Sequence, residues 1–232
     1  MITRMTYNII GDIHARTCWI NLVREDCINI FVGDYFDPYE YIPRGERMAN
    51  FHAIIEYKRQ HKETVLLYGN HDLHYLISDE RYSRYDTISA SECRRALVEN
   101  KPLFYGIAYP IGTIALVTHA GVTKEWYEKY LGPYHSEPLA KVAQSINSLW
   151  EENKTAFTFD ANATEPNDYC GISPTHSPIW IRPEVLVKHD LFGGTIQQII
   201  GHTPTEAGIM KDHNLICVDC LGTREKSFVI EA

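Results

Sequence analysis

The sequence predicts an α/β fold in which helices pack on sheets. Two observations carry this: short, continuous apolar runs rich in Ile, Val, Leu and Tyr, and amphipathic helical stretches lying between them. A third observation adds direction. Five of the apolar runs end abruptly in a polar cluster.

Taken in order, residues 6–10 (TYNII) lead into GDIH at 11–14, and residues 28–32 (INIFV) into GDYFD at 33–37. Residues 64–68 (TVLLY) lead into GNHD at 69–72. Residues 113–117 (TIALV) lead into THAG at 118–121, and residues 197–200 (QQII) into GHTP at 201–204. Runs of this length with little alternation fit strands buried on both faces. LICVD at 215–219 and KSFVI at 226–230 add two further strands.

Helices are expected between them. Met48, Phe51, Ile54, Ile55 and Tyr57 mark one over 44–61. A second is expected over 136–152, with Ser136 as its cap and Pro138 in its first turn. Leu139, Val142, Ala143, Ile146, Leu149 and Trp150 form its apolar stripe. Residues 91–100 and 123–131 read as shorter helices. Residues 157–178 hold Asn, Asp, Pro, Gly and Ser without a period, which predicts a long loop.

The bulk properties narrow the function. A chain of 232 residues suits a single domain over 1–232. A net charge of -8 argues against stable nucleic-acid binding, which draws on a basic excess. No apolar run approaches the roughly 20 residues that span a bilayer, and the first residues lack a signal-peptide pattern, so a cytoplasmic protein with no membrane partner is expected. The six cysteines are scattered. Cys217 and Cys220 form a CxxC, but it lies within the strand-like LICVDC, which predicts reduced core cysteines rather than a zinc or redox pair.

The polar clusters hold the chemistry. They sit just after strands, where an open α/β sheet presents its ligand site. Asp12 and His14 are two apart, so in extended chain both reach toward one cation. Asp34 and Asp37 follow the second run, Asn70, His71 and Asp72 the third, and His119 and His202 complete the set. Carboxylate, amide and imidazole donors suit Mn²⁺, Zn²⁺ or Fe. Asp12, His14, Asp34, Asn70, His119 and His202 are the expected ligands, because unpaired polar groups behind buried strands would otherwise be costly. Gly11, Gly33, Gly69 and Gly201 precede the clusters and allow sharp turns.

This ordered series resembles the calcineurin-like metallophosphoesterase superfamily, from Gly11 to about Gly222. The resemblance implies a four-layer fold: a central two-sheet β-sandwich flanked by helices, with the metal site at the C-terminal ends of the strands. Pro204 stands where many members have a second His, which is similar to the phosphoprotein phosphatase branch and its bacterial and phage relatives. SPIWIRPE and NLICVDCLG also resemble that branch. By that resemblance Asp12, His14 and Asp34 hold one of two divalent cations, manganese first and iron or zinc otherwise. Asp34 bridges to the other, which Asn70, His119 and His202 complete. His71 is the general acid, Asp37 orients it, and Arg182 grips the substrate phosphate.

Physical chemistry fits those roles. Two cations in one site polarise phosphoryl oxygens and activate water near neutral pH. Histidine is suited to donating a proton there, and a carboxylate beside it keeps the imidazolium charged. The chain departs from the branch after Asp37, where Pro38 and Tyr39 replace an expected Arg and Gly. Tyr68 stands where an Arg often precedes GNH, and Asp72 replaces a Glu. Arg44 is the expected substitute for the missing phosphate-binding Arg.

The sequence thus predicts a phosphomonoesterase acting on a phosphorylated small molecule or a phosphoprotein. The rivals are a dinucleoside polyphosphate hydrolase, a phosphodiesterase, and a non-catalytic metal-binding scaffold.

Overall fold

The computed structural model describes residues 4–77, 81–159, 161–163 and 170–232. In chain order its elements are β1 (Thr6–Ile10), β2 (Ile28–Phe31), α1 (Arg44–Gln60), β3 (Val65–Leu66), α2 (Asn70–Leu76), α3 (Ala90–Glu99), β4 (Ala108–Ile111), β5 (Ala115–Thr118), α4 (Lys124–Leu131), α5 (Leu139–Glu152), α6 (Pro183–His189), β6 (Gln197–Ile200), β7 (Met210–Asp212), β8 (Leu215–Cys217) and β9 (Phe228–Glu231).

The strands form two sheets, ordered β3-β2-β1-β9 and β4-β5-β6-β8-β7. In the first, β1, β2 and β3 run parallel, and β9 closes the edge antiparallel to β1. In the second, β5, β6 and β8 run parallel, with β4 and β7 antiparallel at the edges. Each sheet therefore offers three parallel strands whose C-terminal ends lie together.

Side-chain alternation explains why the runs are apolar throughout. Tyr7, Ile9, Ile30, Val32, Val65 and Leu67 of the first sheet share one cluster with Ile111, Val117, Ile199, Ile216 and Val218 of the second. The intervening residues Ile10, Phe31, Leu66, Ala108 and Leu116 join a different cluster, with Phe51 and Ile54 of α1, Leu97 of α3, and Val142, Ile146 and Trp150 of α5. Ile200, Leu215 and Cys217 pack with Leu186 of α6. Each parallel strand is thus sandwiched between the other sheet and a helix layer, as the sequence predicts, while the edge strands β7 and β9 are partly exposed. Burying one such aliphatic side chain contributes roughly 1.5–3 kcal/mol.

The expected helices form, with shifted ends. α1 buries Met48, Phe51, Ile54 and Ile55 on one stripe. α5 begins at Leu139 with Pro138 at its cap position, and Ser136 lies outside with φ 59°, so Ser136 does not cap it. Thr123 does cap α4, accepting from the Trp126 amide at 3.3 Å. Four elements go beyond the sequence expectation. β4 and β7 are edge strands with partly polar, irregular sequences, and α2 and α6 are seven-residue helices too short to show a period. The loop expected over 157–178 lies partly outside the described residues. In its described part, Asn162 donates to the Ala156 and Thr158 carbonyls at 2.9 and 2.8 Å, which gives that stretch local order. Cys217 and Cys220 are buried free thiols, and burial pushes the Cys217 thiol up to about 12, well away from reactive thiolate. No described helix is long and apolar enough to cross a membrane.

One side chain ties α5 to the edge strand that the sequence leaves hidden. Asn147 accepts from the Ile107 and Ala108 amides at 2.8 and 2.9 Å and donates to the Ala108 carbonyl at 2.9 Å. Asn147→Ala is expected to lower stability by about 1–3 kcal/mol in urea denaturation, since it strips partners from backbone groups at a half-buried position. A change below about 0.5 kcal/mol, the scale of a neutral surface substitution, would contradict this docking role.

Candidate metal centre and active site

The polar clusters converge at one end of the two sheets. Asp12 and His14 follow β1, Asp34 and Asp37 follow β2, and Asn70 and His71 open α2 just beyond β3. His119 follows β5 and His202 follows β6. All eight side chains are buried. His14, Asp34, Asp37 and His202 take left-handed backbone, with φ of 44°, 56°, 60° and 63°. This conformation costs a residue other than glycine about 1–2 kcal/mol. It turns each side chain back over the strand ends, and strain of this kind collects at functional sites.

Two glycines leave the room that the carboxylates occupy. A Cβ on Gly201 would stand 2.0 Å from Asp12 Oδ1, and one on Gly69 would stand 2.1 Å from Asp34 Oδ1. Asp72 holds the turn from behind. Its carboxylate accepts from the amides of Gly69 and Asp34, both at 2.8 Å, and of Tyr35 at 3.1 Å.

The hydrogen-bond pattern shows that cations fit here. His119 Nδ1 lies 2.9 Å from the Val32 carbonyl, so that nitrogen carries the proton. Burial lowers the pKa of this imidazole and keeps it neutral. Its Nε2 lone pair then faces Asn70 Oδ1 at 2.9 Å and Asp34 Oδ2 at 3.4 Å. His202 Nδ1 lies 3.0 Å from the same Asn70 oxygen, and burial and the Arg182 charge hold His202 neutral too.

His14 repeats the arrangement. Its Nδ1 faces the Phe36 and Asp37 carbonyls at 3.2 and 3.0 Å, and burial lowers its pKa to about 4. Its Nε2 lone pair faces Asp34 Oδ2 at 3.7 Å and Asp12 Oδ2 at 4.0 Å. Acceptors gathered around a common point repel one another unless positive charge lies between them. Burial and the charges of Asp219 and Asp34 drive the Asp12 carboxyl well above its usual range, another sign of uncompensated negative charge.

A separate group surrounds His71. Its Nδ1 lies 3.0 Å from Asp37 Oδ2, and His74 Nε2 lies 2.7 Å from the same oxygen. The Tyr75 hydroxyl donates to Asp37 Oδ1. Burial works against the charge on His71, but Asp34 and Asp37 outweigh it and raise its pKa. Burial likewise opposes ionisation of Asp37, yet the bonds from His71 and His74 hold its carboxyl below the usual range. The backbone amide of His71 donates to Asp34 Oδ1 at 2.8 Å, fixing this group against the metal-binding one.

The two arginines expected at the site part company. Arg182 anchors beside it, with Nη1 3.3 Å from the His202 carbonyl and from Thr203 Oγ1, and Nε 3.0 Å from the Cys170 carbonyl. Its charge also contributes to lowering the pKa of His119 and His202, so the guanidinium is near these side chains. Arg44 is elsewhere. It sits at the start of α1, half-exposed, and pairs with Glu92 at 2.7 Å, so the structure does not bring it to the cluster.

Residues 5–206 match the family model of the calcineurin-like phosphoesterases. The chain belongs to this family. It is accordingly a phosphoester hydrolase, with a divalent-metal site among its buried His and Asp groups. No curated protein matches the sequence. A protein serine/threonine phosphatase from Saccharomyces cerevisiae, described as similar to human phosphatase PP5, shares the fold. It aligns with a TM-score of 0.53 at 13% identity, over 98% of this chain and 79% of that one.

The structure adds residues that the sequence reading passed over. Asp219 follows β8 as the other clusters follow their strands, and burial with the charge of Asp34 raises it to about 7. The signal was present, since LICV leads into Asp219 as QQII leads into GHTP. His74, close behind GNHD, could be read from the sequence as lining the site, while Tyr75 carried no such signal. Their role depends on one turn of α2 bringing them under Asp37.

The fit around Asp12 gives a direct test. Gly201→Ala is expected to weaken metal uptake at least about tenfold, the usual scale for disturbing a ligand's support, while far-ultraviolet circular dichroism stays native-like. Metal content equal to wild type after dialysis would refute the crowding argument.

Proposed function

We propose that this phosphoesterase is a two-metal phosphomonoesterase of the phosphoprotein phosphatase branch. The observation that carries the proposal is that buried acceptors converge at two points sharing Asp34. Asp12, His14 and Asp34 would hold one cation. Asp34, Asn70, His119 and His202 would hold the other. The mixed donor set suits manganese, with iron or zinc as alternatives. Bound there, such cations supply Lewis acidity and an activated water.

The chain's own groups do the rest. Arg182, fixed by the His202 carbonyl and Thr203, offers its charge to the phosphate oxygens. The cationic His71 carries a proton on each ring nitrogen; Nδ1 is engaged by Asp37, so the Nε2 proton is the one it can give up. That proton would go to the departing oxygen. Asp37 fixes the ring and stabilises its charge, and His74 and Tyr75 hold Asp37 in turn. The branch assignment rests on GHTP, where Pro204 occupies the place of a further His. The substrate class is a phosphorylated small molecule or a phosphoprotein.

Elemental analysis and rates on a matched panel test the whole reading. Two transition-metal ions per chain are expected, with hydrolysis of para-nitrophenyl phosphate well above that of its diester and of diadenosine tetraphosphate. A dominant rate on either of the latter would reassign the substrate, and no turnover with metals bound would point to a scaffold.

Asp34→Asn is expected to reduce kcat/KM by several orders of magnitude more than Arg44→Ala, because Asp34 joins both acceptor groups while Arg44 pairs with Glu92. Comparable losses would contradict the placement of both residues.

His71→Asn should lose more rate on an alkyl phosphate than on para-nitrophenyl phosphate, by an extra factor of roughly 10–100, because only the poor leaving group needs the proton. With metal content unchanged, equal losses on the two substrates would remove His71 from the role of acid.

A further inference from the structure

Tyr39 and Arg84 are exposed beside the His14 and His71 rings, outside the reacting centre. The Tyr39 ring meets the His14 ring edge-on at 4.8 Å, and the His14 ring meets the His71 ring at 5.1 Å. Tyr39 is therefore two ring contacts from the group placed to protonate the leaving oxygen. It is 50% exposed, so one part of the ring remains open to a ligand.

Arg84 lies over that ring, with its guanidinium carbon 4.0 Å from the centroid, and its Nη1 donates to the Pro38 carbonyl at 3.3 Å. It comes from a distant segment in left-handed backbone, φ 65°. The ring face and the carbonyl fix the guanidinium plane at the rim. Its charge is not spent. Among the described residues no carboxylate stands within ion-pair distance of Arg84, and the side chain is exposed.

Arg16 makes the contrast. It also approaches Tyr39, at 6.0 Å, but it is paired with Glu40 through two bonds of 3.0 and 3.2 Å. Among the described residues Arg84 is thus a held cation with no carboxylate partner, on a chain of net charge -8. A planar guanidinium with free donor edges selects an oxyanion.

We propose that Arg84, stacked on Tyr39, forms a leaving-group subsite that selects phosphoesters carrying a second anionic group beside the scissile phosphate. The second anion is a carboxylate or a further phosphate on the leaving group, received by the guanidinium edge while the leaving group rests on the open part of the Tyr39 ring. This rests on the phosphomonoesterase reading for which phosphate is cleaved.

The test separates the two ideas by measuring binding and turnover apart. Metal-loaded protein is titrated with 3-carboxyphenylphosphonate and with its neutral counterpart 3-carbamoylphenylphosphonate, neither of which can be hydrolysed. Wild type should bind the charged member about two- to fivefold more tightly, the worth of one exposed ion pair, and the preference should shrink at high salt. Arg84→Gln should bring the ratio to about one, and Tyr39→Phe should keep it, since the ring face and not the hydroxyl holds Arg84.

Peptides carrying phosphonomethylalanine, a phosphoserine analogue that cannot be hydrolysed, with Glu or Gln beside it form a second pair. A preference there that Arg84→Gln abolishes assigns the anion to an acidic peptide, and one confined to the phosphonates assigns it to a small molecule. Equal affinities within both wild-type pairs, or a preference that survives Arg84→Gln, would overturn the proposal. Failure to hydrolyse the matching phosphate esters would overturn the monoesterase reading alone, because the affinity ratio does not depend on turnover.

Discussion

Ile9, Ile30 and Val32 of one sheet pack in a common apolar cluster with Val117, Ile199, Ile216 and Val218 of the other, and this contact sets the spacing between two rows of strand ends. The polar clusters are attached to those ends. A shift of one sheet against the other would separate Asp12 and Asp34 from His119 and His202. A close-packed interior resists such slips, because voids and overlaps are both penalised. The apolar core therefore acts as the jig for the acidic and imidazole groups, which need no flexible reach to meet.

Asp34 stands at the centre of what the jig assembles. Its Oδ2 faces His14 and His119, and its Oδ1 accepts from the His71 amide. Its own amide donates to Asp72, which also gathers Gly69 and Tyr35. One carboxylate thus touches both acceptor groups and the backbone of His71. Burial opposes its ionisation, and the neighbouring histidines with the bond from the His71 amide hold its carboxyl below the usual range. With His14 and His119 neutral, the positive charge in this balance is that of His71.

The division of labour between the histidines follows from their neighbours rather than their type. His14 and His119 have Nδ1 turned to backbone carbonyls, and burial keeps them neutral. His71 has Nδ1 turned to Asp37 instead, and that carboxylate with Asp34 keeps it charged. A carbonyl partner leaves a neutral ring with one free lone pair, and a carboxylate partner leaves a charged ring. Around these groups Arg182, Arg84 and the Glu40-paired Arg16 come from separate segments.

The sequence by itself determined the buried strands, the two long helices and the polar residues at the strand ends. These are local properties: an apolar run buried on both faces, a helical stripe, and a ligand type tied to the residue before which the strand stops. It did not reveal β4 or β7, whose pairing depends on a neighbouring strand, or α2 and α6, which are shorter than two full periods of a pattern. Asp219 was legible by analogy with the other strand ends and was passed over. Arg44 was placed at the phosphate by its nearness in sequence, and the structure gives it to Glu92 instead. Arg84, more than forty positions from Pro38, meets it only through the fold. Long, flexible side chains such as arginine are assigned by which elements become neighbours in space, and that is decided by tertiary packing alone.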